Sequence, residues 1–210
     1  MNVDPGWFGQ IEREWKMLRL GDPSLNPEKF FRHVLSAAGF LSAESLAAIA
    51  NGLLTSALHG APLLGRRLLE RVGINRHPTL RLALAVSLVT STGGDADFET
   101  GNAIFEDVMK DDSADGRLRG LAAAALADSA RLGRGMPVDV KKAVTLYDHA
   151  IELGHKAAAH NLGLYWEGLW CAESSNDALP NNARAIQTYK RGGADARCQL
   201  RISNLLEAAQ

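Results

Sequence analysis

One stretch of this chain is written twice, and that constrains its fold more than any other feature. Leu126 to Gly154 reads L-x6-G-x-G-x-P-x-D-x2-K-A-x3-Y-x2-A-x3-G. Further on, Asn161-Leu162-Gly163, Tyr165 and Trp166 precede Arg184, Ala185 and Tyr189, so that Ala185-x3-Tyr189 repeats Ala143-x3-Tyr147. A unit of this length cannot bury its apolar face alone, so successive copies must stack and share a core. Small residues such as Ala143 and Ala150 let two antiparallel helices approach, and the tyrosine fills the space between successive hairpins. Gly133 and Gly135 permit backbone angles that other residues resist, Pro137 stiffens the connection, and Asp139 offers a carboxylate to cap the second helix. The brick is therefore a helix, a turn and a helix. The copies differ in one respect: Leu162 to Ala185 spans 23 positions where Leu126 to Ala143 spans 17. Six extra residues thus lie among Leu169 to Asn182, and no glycine pair follows Gly168.

On these residues the stretch from about 117 to 208 resembles the Sel-one-like repeat family, relatives of the tetratricopeptide repeats with a longer loop. The resemblance implies a short right-handed α-solenoid whose first helices line a groove for a protein or peptide partner. Placed on this chain, the family's register nominates Asp128, Arg131, His160, Tyr165 and Trp166 for that groove. The extended loop adds Trp170, an aromatic that must either pack back or meet a partner. After Gly192-Gly193 a last helix carries Cys198, Ile202, Leu205 and Ala209 on one stripe and resembles the cap that closes a solenoid.

The remainder reads as helix too. Asn26-Pro27-Glu28 and Ser42-Ala43-Glu44 have the form of helix starts, and sustained period-2 alternation is absent. Between Pro5 and Leu20, Trp7, Phe8, Ile11, Trp15 and Leu18 recur at spacings of 3 or 4, a stripe that must be buried, with Phe30, Phe31, Val34 and Leu35 as the natural surface for it. Leu41 to Ile74 holds two Ala- and Leu-rich helices divided at Gly60-Ala61-Pro62, and His77-Pro78 closes the segment. Arg66, Arg67 and Arg71 on the second of them read as a solvated face. Leu80 to Lys110 has the outline of a degenerate earlier unit, two helices around Gly93-Gly94-Asp95. The expectation is an all-α chain, with irregular N-terminal helices over 1–78 leading into helix-turn-helix repeats and a capping helix over 79–210.

Charge and motif argue against several functions. The formal net charge of −1 supplies no broad positive field for nucleic acid or an anionic membrane. No run approaches the roughly 20 apolar residues of a spanning helix, and Met1 to Pro5 shows no secretory pattern, so a cytoplasmic protein is expected. Cys171 and Cys198 form no metal-type pair and are expected as free thiols in that compartment. Gly133-Arg134-Gly135 has neither phosphate-loop spacing nor a preceding strand. Asp111-x-Ser113-x-Asp115-Gly116 opens like a calcium loop, but Ala122 stands where the closing carboxylate belongs, so a turn and helix cap is expected. His155 and His160 lie five apart, off a common helical face, and no serine or cysteine has a local activating base.

The sequence therefore points to a non-enzymatic interaction scaffold without cofactor or metal: a bacterial adaptor, secretion chaperone or toxin-neutralising protein. Two other readings stand beside it. One is an enzyme or small-ligand receptor in the N-terminal 78 residues; the other is a structural subunit that self-associates through its first helix.

Overall fold

A computed structural model describes residues 6–72, 77–170 and 180–208, with side chains from residue 8 onward. The expectations attached to the Trp7 side chain, to Cys171, to Ala209 and to most of the extended loop lie outside the described residues. Among the described residues the chain forms eleven helices and no strand, so the all-α expectation holds. None of these helices is long and apolar enough to cross a membrane.

The chain divides into two compact units, residues 1–101 and 102–210. In the first, α1 (Gly6–Leu20) packs on α2 (Pro27–Ala37) and α3 (Ala43–Leu54), while α4 (Ala61–Val72) meets α2, α3 and α5 (Pro78–Val89). Local chemistry sets the starts: the Asn26 and Ser42 side chains accept the Lys29 and Ser45 backbone N–H groups, and Pro27 sits in the first turn. His77-Pro78, expected to close a segment, opens α5 instead, because a proline in the first turn lacks only a donor that would be unpaired anyway.

The α1 stripe is buried as expected at Ile11 and Leu18, against a core that includes Phe30 and Val34, while Phe8 stays half-exposed. Trp15 lies across Gly52, where any β-carbon would overlap its ring. That contact explains a glycine inside α3. Arg66 departs from the solvated face expected of it: it donates to the Asp95 carbonyl at 2.6 Å and to Glu70 at 3.3 Å, tying down the loop around Gly93-Gly94. Arg67 and Arg71 remain exposed.

The second unit holds the C-terminal part of α6 (Phe98–Lys110) and then the repeats. Asp111 turns back on Ser113 and Asp115 accepts the Leu118 N–H, the turn and cap expected ahead of α7 (Gly116–Leu132). Helix α7 pairs with α8 (Val140–Glu152), α9 (Ala158–Trp166) with α10 (Asn182–Arg191), and α11 (Ala196–Glu207) lies on α10 and α9. Gly133 ends α7 in the left-handed region at φ 66°, a conformation that side chains strain, and Asp139 caps α8 by accepting the Lys142 N–H at 2.8 Å.

Both hairpins close with the same backbone hydrogen bond. Asp139 N–H donates to Ala130 O at 2.8 Å, and Asn181 N–H donates to Trp166 O at 2.6 Å. Asn181 then caps α10 as Asp139 caps α8. The six extra residues therefore sit between two conserved geometric endpoints, Trp166 and Asn181, and leave the helices in register. Ala143, Tyr147, Ala150, Ala185 and Tyr189 are fully buried in one core, which is where the repeat pattern put them.

Candidate functional site: the faces of the second unit

Each hairpin tyrosine is buried to its ring but reaches a carboxylate with its hydroxyl. Tyr147 donates to Asp128 on α7, and Asn161 Nδ2 donates to the Tyr147 oxygen at 3.3 Å. Burial and the adjacent Asp128 charge push the Tyr147 phenol above its ordinary range. Tyr189 donates to Glu167, just past α9, and Arg201 of α11 grips both oxygens of the same carboxylate. Burial and the hydrogen bond to Glu167 likewise raise the Tyr189 phenol. Glu167 and Arg201 carry this second network, and neither was singled out from the sequence. A cue existed: Glu167 falls one turn after Gly163, and Arg201 falls three after Cys198, so both lie on inward-facing positions.

The six residues nominated for a groove divide three ways. Asp128, Arg131, Tyr165 and Trp170 come together between α7 and α9. Trp170 packs back: it is 6% exposed, donates its indole N–H to Asn161 O at 2.8 Å, and meets Tyr165 and Tyr147 with ring centroids at 4.8 and 5.8 Å. Arg131 lies 5.6 Å over Trp170 and reaches Asp128 at 3.5 Å. Its Nε is buried and has no acceptor among the described residues. The result is an aromatic floor under a half-exposed acid and a base with donors to spare.

His160 turns elsewhere, toward the Tyr189 ring at 6.2 Å. Trp166 meets the Tyr165 ring edge-on, with centroids 4.6 Å apart, and carries its own ring on to a third side. There Arg184 stacks on it at 3.5 Å from the ring centroid. This side is an open cleft of 440 Å³ between α8 and α10 with α9 as its floor. Arg191 spans it to Asp148 at 2.5 Å.

Among the described residues no group of histidine, cysteine and carboxylate side chains is placed to hold a metal ion. Cys198 is fully buried over Gly192, and burial, with the Asp195 charge, pushes its thiol up to about 11, far from a nucleophilic thiolate. Burial and the nearby Arg197 charge lower His155.

No family model matches the sequence, and no curated protein matches it. Among solved structures, a Sel1 repeat protein from Oxalobacter formigenes superposes with a TM-score of 0.64 at 17% identity, covering 95% of this chain and 76% of that one. A protective antigen of uropathogenic Escherichia coli, described as displaying an SLR fold, covers 97% of this chain and 50% of its own at 12% identity and a TM-score of 0.39. With the repeated loop-closing bond and the twice-used buried tyrosine, the Oxalobacter likeness shows that this chain has the fold of the Sel1-like repeat proteins.

Proposed function

We propose that this chain is a non-enzymatic protein-interaction module, which holds a segment of a partner protein against the face formed by α7 and α9. The observation that carries the reading is Arg131. Its guanidinium is held over Trp170 and beside Asp128, while the side chain stays 22% exposed. The N–H groups that Asp128 does not take are therefore within reach of a partner's carbonyl or carboxylate. The surrounding rings are already fixed in place, so little side-chain ordering remains to oppose binding. The likeness to a Sel1 repeat protein supports the same reading at the level of fold. Adaptor, secretion chaperone and toxin-neutralising protein all fit such a face, and the identity of the partner selects among them.

Hydrogen-exchange protection tests the proposal. The purified chain, mixed with a host lysate fraction that contains its ligand, is expected to gain protection in 126–132 and 158–170, and Arg131→Met is expected to abolish that gain. Protection confined to residues 1–101 would overturn it in favour of a site among the N-terminal helices.

A further inference from the structure

The cleft on the other side of α9 is left over by that reading, although Trp166 belongs to it. Its apolar lining comes from Val144 on α8 and Leu162 on α9, and its charged lining from Asp148, Arg184 and Arg191. Asp148 and Arg191 neutralise each other across it. Arg184 does not share in that pairing. Its guanidinium lies flat on Trp166, which shields one face of the cation and leaves its edge free, and no carboxylate among the described residues pairs with it. A guanidinium fixed by stacking presents its N–H groups as a planar fork, the shape that receives both oxygens of a carboxylate.

We infer that this cleft is a second recognition site, which takes an acidic segment of a protein partner: a glutamate or aspartate on Arg184, with a neighbouring aliphatic side chain on Val144 and Leu162. The inference rests on the protein-binding reading above but not on the α7 and α9 face. The commitment to an acidic segment comes from the charge balance of the walls. Two arginines oppose one aspartate, so an incoming carboxylate restores neutrality while a basic segment meets repulsion. The Trp166 stack fixes the arginine beforehand, which removes part of the ordering cost of binding.

The experiment uses the full chain, isotopically labelled, and follows the Arg184 Nε–H and Trp166 indole N–H resonances. The probes are the amidated, acetylated pentapeptide Ala-Glu-Leu-Glu-Ala, its counterpart with glutamine at both glutamates, and inorganic phosphate. The acidic peptide is expected to shift both resonances saturably and more weakly as salt rises, and the glutamine peptide is expected to leave them in place. Arg184→Gln should weaken binding about tenfold, the loss of one charge-assisted pair. Gln187→Glu, which adds a repelling charge without touching the stack, should weaken it as well. Equal shifts with the glutamine peptide, shifts at Arg131 alone, or shifts with phosphate and not with the peptide would each overturn the inference. Failure here with Arg131-dependent protection intact would remove the second site and leave the proposed function standing; the reverse result would do the opposite.

Discussion

The two hairpins of the second unit use one tyrosine position for different ends. In α7–α8 the hydroxyl of Tyr147 meets Asp128, whose side chain is 43% exposed and is shared with Arg131 and open to solvent. In α9–α10 the hydroxyl of Tyr189 meets Glu167, whose side chain is 5% exposed and is clamped by Arg201 of the closing helix. The same brick therefore yields an open polar face at one station and a sealed ion pair at the next. What separates them is the neighbour. Asp128 stands beside a helix and a loop that leave it half uncovered, whereas Glu167 is covered by α11. An open network keeps donors available to a ligand, and a sealed one spends them on holding the fold together.

The sharpest way to break this comparison is to delete the two carboxylates in turn. Glu167→Ala leaves a partly buried Arg201 and a buried phenol unpaired, and should cost about 2.5 kcal/mol in chemical denaturation, somewhat less than breaking a fully buried pair. Asp128→Ala, at a site that water reaches, should cost about 1 kcal/mol or less. Equal losses would mean that burial does not distinguish the two networks.

Gly163 tests the packing side of the same contrast. Its Cα lies under the Tyr189 ring, so close that a β-carbon would overlap several ring atoms. Gly163→Ala must displace the tyrosine from Glu167 and should cost about 2 kcal/mol despite the better helix propensity of alanine. Ala127, the position equivalent to Gly163 in the first hairpin, already carries its methyl group and is fully buried. A neutral or stabilising Gly163→Ala would show that the second hairpin is as forgiving as the first.

Much of this was legible in the sequence because it is local or periodic. The helix caps at Asn26, Ser42 and Asp139, the buried alanines and tyrosines, and the place of the six extra residues all follow from spacing alone. The division of the groove residues did not. Tyr165 and Trp166 are adjacent in sequence and their rings touch, yet one packs on Trp170 while the other lines the α8 and α10 cleft, and only the packing of neighbouring helices says which. Glu167 and Arg201 lie far apart along the chain, so their pairing depends on where α11 lands. Arg66 obeys the same rule: its partner, the Asp95 carbonyl, belongs to a loop that sequence proximity does not reveal.

Conservative hydroxyl deletions sharpen the comparison at smaller amplitude. Tyr189→Phe removes a hydrogen bond to a buried carboxylate and should cost about 1.5 kcal/mol, whereas Tyr147→Phe should cost about half that, because water can reach Asp128 in its place.

The smallest effect concerns what holds the covering helix in place. Asp195 caps α11 by accepting the Arg197 and Cys198 N–H groups, and it also binds the Arg197 guanidinium at 2.9 Å. The hydrogen bonds from Arg197 hold its carboxyl at about 2, below the ordinary 3.8. A folded-state value below the unfolded one means that the charged carboxylate stabilises the fold. That contribution is complete above pH 5 and is lost as pH falls through 4 toward 2. The Arg197 end of the pair is largely in water, so screening reduces the contribution to about 1 kcal/mol. Asp195→Asn should therefore lower stability by that amount at pH 7, and the gap to the parent protein should close as both are titrated toward pH 2. Because α11 seals Glu167, the same substitution should loosen the second network and spare the first: exchange at the backbone around Tyr189 should rise, while exchange around Tyr147 stays as it was. If both tyrosine regions loosen together, the closing helix supports the two hairpins equally, and the distinction between an open and a sealed station fails.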